Sequence, residues 1–526
     1  MNGPVKHVDF LDHTRGLAIV AVMLFHTLAT AYGYGELPWH GCFRSLAVPS
    51  SFLCFLPLSF GQAGVAIFFV VSGFCIQMAF QPPRRRWRDF FVRRFFRIYP
   101  AYLAALLIFS ALLRMGQGPG TWLDGEFGLQ MLTHLFLIHN FLPQTFFGIN
   151  GSFWSLAVEA QLYLVFPALL FLTARLGWRR TLLGLAGVEL LLRGLDGMVQ
   201  TAGWDATLAG RMVTAMAASP LGYWFSWALG AWLADAWLNH EPAPLAGTSP
   251  AGWLALAVGC NFVKPLAPFG FPLFALAVAA LIARRLGGAA VPVRAPGFFM
   301  ALLKKIGGWS YSLYLLHEPL LQVYSYALDW LFPGAQLNYP LRLLLIVCTW
   351  PAILLLGCLW YELFERTGIA QGRQVLHGTG GAAEPVLGAD RRRQHRLAAL
   401  LTVMVIGTYW VAAQLNPQAA VRNSRLAWEL ATSPEPADRN GALAVKLAED
   451  ACWRTRYRQT AMVGTLAAAY AEAGRFDQAV ATSRLACELA SHAGNQKQLH
   501  RYQVLLGFYL NHQPYHAPPG TVTGSN

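Results

Sequence analysis

Charge is scarce in this chain. Asp, Glu, Lys and Arg make up 13% of its 526 residues, against roughly 25% in an ordinary soluble domain. With 55% of the residues hydrophobic, that shortage excludes a single water-soluble globule and assigns most of the chain to lipid. Acid is scarcer than base, 26 residues against 40, for a formal charge of +14. The basic residues fall in short blocks between apolar spans, where membrane orientation accounts for them, so no nucleic acid partner is implied. Cysteine is thin and scattered: Cys42, Cys54, Cys75, Cys260, Cys348, Cys358, Cys452 and Cys487 form no C-x-x-C and no His/Cys ligand spacing. Neither a disulfide framework nor a zinc site is indicated, and no metal is implied. What the chain does have is aromatic rings, 18 Trp, 34 Phe and 18 Tyr, suited to a bundle whose ends meet the bilayer interface.

A hydrocarbon core of ~30 Å takes about 20 mostly apolar residues per helix. The apolar runs predict spans at 13–33, 60–80, 98–114, 153–174, 181–195, 219–239, 250–264, 269–283, 308–331 and 340–363, with an extra one at 397–414. The segment 127–143 is apolar but carries His134, His139 and Asn140, so it reads as re-entrant or interfacial. With a cytoplasmic N-terminus, the inner loops hold seven Arg in 84–97, three in 175–180, five Arg or Lys in 284–305 and six Arg in 366–396. Counting 127–143 as a span would put the last three clusters outside, against the positive-inside rule. The inner loop 240–249, without Lys or Arg, is the weak point.

Lys6, the apolar run from Leu17 to Leu28 and Ala29-Thr30-Ala31 also have the outline of a cleavable signal peptide. Asp9, Asp12 and a mid-span His26 speak against it. The expected fold class is therefore all-α. A membrane domain over 1–366 is followed by a cytoplasmic basic linker over 367–396, the extra helix at 397–414, and a small soluble helical domain over 415–526. In that last region LAAAYAEAGRFDQAVATSRLACELA (466–490) resembles a tetratricopeptide repeat, and 427–452 reads as another helix pair. About two repeats fit, and the orientation above places them outside the cell membrane, ending in a flexible tail.

Several polar residues within the spans could carry chemistry. Arg15 and His26 are eleven steps apart, which at 100° per residue returns to within about 20° of the same direction and separates them by roughly 16 Å. His26 at mid-depth is either a functional group or a neutral ring bonded to a neighbouring helix. In FGQAGVAIFFVVSGF (60–74), Gly61, Gly64 and Gly73 allow close approach, and Ser72 offers a hydroxyl, although small residues in such helices more often serve packing. Arg93, Arg94 and Arg97 suit a phosphate-bearing ligand at the inner surface, with topogenic charge or anionic lipid as the plainer reading. Ser155 and Glu159 share one face of the span that opens at Trp154, and Glu159 in lipid needs a partner. His317, about nine residues from the inner surface, lies near the depth of His26.

The order RGLAIVAVMLFH, GVAIFFVVSGF, RRFFRIYPAY, WSLAVEAQLYLVFP, SYSLYLLHEP and YELFER resembles the membrane-bound acyltransferase-3 family, which O-acylates bacterial carbohydrates. The resemblance covers residues 8 to about 366. It implies a ten-helix core in the bacterial inner membrane that takes acyl-CoA, with acetyl-CoA expected, from the cytoplasm and acylates a carbohydrate acceptor. It also implies His26 and Arg15 as the essential pair of the first helix, and Arg93, Arg94 and Arg97 with Tyr102 of the same motif at the donor. Ser72 and Glu159 fall in matching motifs with less defined roles, and Trp154, Ser155 and His317 stand as further candidates. The repeat tail departs from fusions that append an esterase-like domain; it offers a surface to a protein partner or serves as a spacer. Two other classes compete, a transporter or flippase using the intramembrane His, Glu and Arg, and a plain anchor for the tail. No internal repeat supports the first, and the second gives no reason for buried polar groups.

Overall fold

The computed structural model describes residues 9–32, 56–81, 86–115, 125–204, 207–263, 265–287, 297–332, 339–377 and 417–518, with five positions between 396 and 407. All regular structure among these residues is helical. They fall into two compact units, one within Met1–Leu113, Gly120–Gln322 and Leu337–Val405, the other within Arg114–Pro119, Val323–Gln336 and Ile406–Asn526.

The first unit is the membrane bundle. Short turns aside, it begins with α1 (Asp9–Tyr32), α2 (Ala63–Ala79), α3 (Trp87–Met115), α4 (Gly125–Leu135), α5 (Phe153–Ala202), α6 (Leu208–Ala217) and α7 (Trp224–Leu238). It continues with α8 (Pro250–Asn261), α9 (Gly270–Gly287), α10 (Phe298–Gly308), α11 (Ser310–Leu331), α12 (Tyr339–Val347) and α13 (Trp350–Trp360). A π turn over Tyr361–Glu365 then leads directly into α14 (Arg366–His377).

Five stretches among the described residues are long and apolar enough to cross a membrane: Phe10–Ala31, Trp87–Ala111, Phe153–Ala202, Ala267–Gly287 and Pro340–Leu376. The third doubles back at Gly177, whose φ of 75° and ψ of 161° belong to a region open in practice to glycine alone. Its halves, 153–176 and 178–202, each reach about 36–38 Å, so the two spans expected there meet at the Arg-rich turn between them. α3 is longer than the span expected at 98–114, since it starts at Trp87 and takes the arginine block onto the same rod. α4, at 11 residues, reaches about 16 Å and is too short to cross. An irregular stretch containing one turn at His139–Phe141 follows it, in keeping with the non-spanning reading of 127–143. The extra span at 397–414 and most of the linker lie outside the described residues.

Glycines set the closest helix crossings. A Cβ on Gly73 would stand 2.1 Å from the carbonyl oxygen of Trp227, and one on Gly230 would stand 1.8 Å from that of Val70. α2 and α7 therefore touch backbone to backbone, as small residues permit in lipid. Gly61 and Gly64 do the same for α2 and its lead-in against α1 at Ala21 and Ala18.

Besides the ends of α3 and α11, the described residues of the second unit form five helices, α15 (Pro417–Thr432), α16 (Gly441–Arg454), α17 (Thr460–Glu472), α18 (Phe476–His492) and α19 (Gln496–Leu510). Each packs on the next around a core rich in Ala, from Ala420 to Ala490, with Tyr502 and Tyr509 closing it. Gly474, at φ 73°, turns the chain between α17 and α18, inside the stretch whose pattern predicts a helix pair.

Candidate active site

α1 brings its two polar residues to one side of the bundle, as the eleven-residue spacing requires. Arg15 donates to Asp12 Oδ1 at 3.2 Å and reaches Cys75 Sγ of α2 at 3.1 Å. Eleven residues on, His26 meets His317 of α11 edge to face, with ring centroids 4.9 Å apart. The two mid-depth histidines of the sequence are thus neighbours, and both are largely shielded: the His26 side chain is 12% exposed and His317 is 0% exposed.

A carboxylate joins them. Glu318 Oε1 stands 3.9 Å from His26 Nδ1, while its other oxygen accepts the Ser152 hydroxyl. The local fold dictates this placement. Pro319 deprives the Leu315 carbonyl of its helical partner, and Asn150 Nδ2 fills the gap at 2.9 Å. The Asn150 side chain also accepts from Ser152 N at 3.0 Å. Gly151 makes room, because a Cβ there would stand 2.5 Å from Glu318 Oε1.

Beside this cluster lies an open cleft lined by Arg15, Ser72, Arg94, Arg97, Ser155 and Glu159 among others. Six candidates from four separate motifs therefore converge. Ser72 donates to Glu159 Oε1 at 2.7 Å, and Tyr163, one turn further along α5, donates to the same oxygen. Trp227 Nε1 donates to Ser72 Oγ at 3.3 Å across the glycine crossing. Ser155 bonds the Tyr314 hydroxyl at 2.6 Å, and the Tyr314 ring packs 5.4 Å from His317. Tyr314 thus touches both the cleft and the histidine pair.

The three arginines of α3 divide. Arg94, over the rings of Phe90 and Tyr163 at 5.8 Å each, and Arg97 line the cleft; Arg93 does not. Arg15 takes the third cationic place. Tyr102 is fully buried and donates to the His134 carbonyl at 2.9 Å, away from the cleft lining. Trp154 stacks on Phe146 at 5.9 Å and also stands outside that lining. Sequence reasoning passed over Glu318, Tyr163, Tyr314 and Glu365. Glu318 and Glu365 sit inside the HEP and YELFER segments, and a carboxylate buried in a membrane helix is itself the signal.

The family model for the acyltransferase domain matches residues 8–362, which is most of the first unit. The chain belongs to the acyltransferase-3 family. Its relatives include the acyltransferase MdmB of Streptomyces mycarofaciens, 28% identical over 53% of this chain and 72% of that protein. The membrane-bound transacylase BcsY of Komagataeibacter xylinus, so named putatively, is 26% identical over 68% of this chain and 82% of its own length. The peptidoglycan O-acetyltransferase OatA of Listeria monocytogenes is 27% identical over 33% of this chain, and the match spans 25% of OatA. No solved structure matches the chain. A membrane acyltransferase of this family accounts for buried polar groups that an anchor leaves without purpose.

Proposed function

We propose that this acyltransferase moves an acyl group, acetyl in the expected case, from cytoplasmic acyl-CoA to a hydroxyl of a carbohydrate on the far side of the membrane. The observation that carries the proposal is the meeting of three cleft arginines with a histidine–carboxylate cluster through Tyr314 and Ser155. Arg15, Arg94 and Arg97 offer the donor's phosphates paired N–H groups. The pantetheine arm extends along the cleft and delivers the thioester near His26.

His26 then acts as general base. The acceptor hydroxyl loses its proton to the imidazole as its oxygen bonds to the thioester carbon. The carbon–sulfur bond breaks, and the departing CoA thiolate takes the proton from the imidazolium. Glu318 stabilises that cation from 3.9 Å. Direct transfer is preferred to an acyl-serine intermediate, because the Ser72 hydroxyl donates to Glu159 and accepts from Trp227, a set of bonds that positions it as part of the cleft wall. A carbohydrate acceptor agrees with what OatA is named for, and the helical tail is read as an extracytoplasmic repeat module that presents a surface to a glycan-assembly partner.

The test is thiol release from acetyl-CoA by purified protein in lipid with mixed sugar acceptors, wild type beside His26→Ala. Release that depends on His26 is the expected result. Wild-type protein that neither binds CoA nor releases thiol would overturn the reading in favour of transport.

A further inference from the structure

Glu365 ends the π turn in the last described membrane helix and is 1% exposed. A π turn fits one extra residue into a helical ring, re-aims the side chains around it, and is kept disproportionately at functional places. Here it turns a carboxylate into the protein. Ser312 of α11 donates to Glu365 Oε2 at 2.8 Å, which fixes one end of the group. The other oxygen, Oε1, is buried with no hydrogen bond and faces Arg97 NH2 at 3.7 Å. That separation preserves Coulomb attraction while leaving the guanidinium's N–H groups uncommitted. Arg97 itself lines the cleft, and its side chain is 37% exposed. Ser310 and Tyr311, the two residues before Ser312, line the same cleft, and the Tyr311 hydroxyl donates to the Ile98 carbonyl next to Arg97 at 2.8 Å. The start of α11 thus braces both Glu365 and the turn of α3 that carries Arg97.

We propose that Glu365 is a positioning residue for the donor substrate, holding the Arg97 guanidinium at the cleft wall so that its N–H groups meet a phosphate of acyl-CoA. A buried carboxylate that merely stapled two helices would be expected to engage its arginine as a direct fork, which forms shorter and stronger bonds. The loose contact suits an arginine that must present its donors to something else. The inference rests on the donor reading given under the proposed function.

The experiment is a double-mutant cycle on CoA affinity, measured calorimetrically with the full chain in nanodiscs. Glu365→Gln and Arg97→Gln are each expected to weaken CoA binding about tenfold, and the double variant to match Arg97→Gln within about twofold, since both changes remove one function. Glu365→Gln binding like wild type, or a double variant near a hundredfold, would overturn the proposal. Should Glu365→Gln fail to fold, Ser312→Ala decides: loss of that one bond is expected to weaken CoA about threefold, and unchanged affinity counts against Glu365. Wild-type protein with no affinity for CoA removes the donor reading and this inference together. Wild-type binding with unmoved variants removes only the inference.

Discussion

His26 lies where three elements meet, with His317 and Glu318 of α11 against it and Ser152 of the α5 lead-in behind the carboxylate. Removing a general base costs about 10²–10⁴ in rate, so His26→Ala is expected to lower kcat in that range while CoA affinity stays within about twofold. Glu318→Gln keeps the shape and deletes the charge that faces the imidazole. Its expected effect is a fall in kcat of about 10–100-fold, since displaced or unsupported catalytic groups lose that much, with the KM for the donor little changed. Ser72→Ala separates the two routes: direct transfer retains at least about a tenth of the activity, whereas an acyl-serine route predicts complete loss. Of this cluster, the meeting of His26 and His317 was foreshadowed by their similar depth in the sequence, which left open whether they serve function or packing. Glu318 was harder to read. It follows His317 in sequence and so points about 100° away on the helix. Only the Asn150–Ser152 turn, far along the chain, reveals that it faces His26.

At the scale of elements, the α2/α7 crossing positions Ser72. Gly73→Val would drive a branched side chain into a backbone oxygen that a Cβ alone already approaches to 2.1 Å. Such overpacking costs about 1–3 kcal/mol or more, and the variant is expected to melt lower in nanodiscs and to lose thiol release. Spacing in the sequence marked Gly73 as a packing residue, but Gly230, its counterpart on α7, carried no signal without the crossing. In the second unit, Cys452 of α16 is 0% exposed, and burial, with Glu449 adding to it, pushes its thiol up to about 12. At pH 7 only about one part in 10⁵ is thiolate, and thiolate is the reactive form. Maleimide at pH 7 is therefore expected to leave Cys452 unlabelled in the folded protein and to label it in denaturant. Labelling of native protein at the rate of a free thiol would show that α16 is not packed as described. The scatter of cysteines in the sequence says nothing of this inertness; the helix core supplies its cause.

For the whole molecule the open quantity is orientation. The helical class was legible from hydropathy, since a chain with 13% charge has few alternatives to lipid, and the family from six ordered motifs. Span ends were less legible, because α3 and the last described membrane helix run without a break between apolar core and basic surface, leaving no helix end to mark the membrane edge. Orientation rests on where the arginines fall. Arg88, Arg93, Arg94 and Arg97 all lie on the first part of α3, while Arg175, Arg179 and Arg180 flank the Gly177 turn between the two halves of α5. If the positive-inside rule governs both, they share the cytoplasmic side, and the cleft arginines Arg94 and Arg97 open toward cytoplasmic CoA. Alkaline phosphatase fused within the Gly177 turn is then expected to be inactive, and green fluorescent protein at the same place to fluoresce. Fused after Asn526, the pair is expected to reverse if the span expected from the sequence at 397–414 carries the helical tail outside, as proposed. An active phosphatase at Gly177 would turn the bundle over and leave the arginines facing away from the only compartment that supplies acyl-CoA, and the donor assignment would fall with the topology.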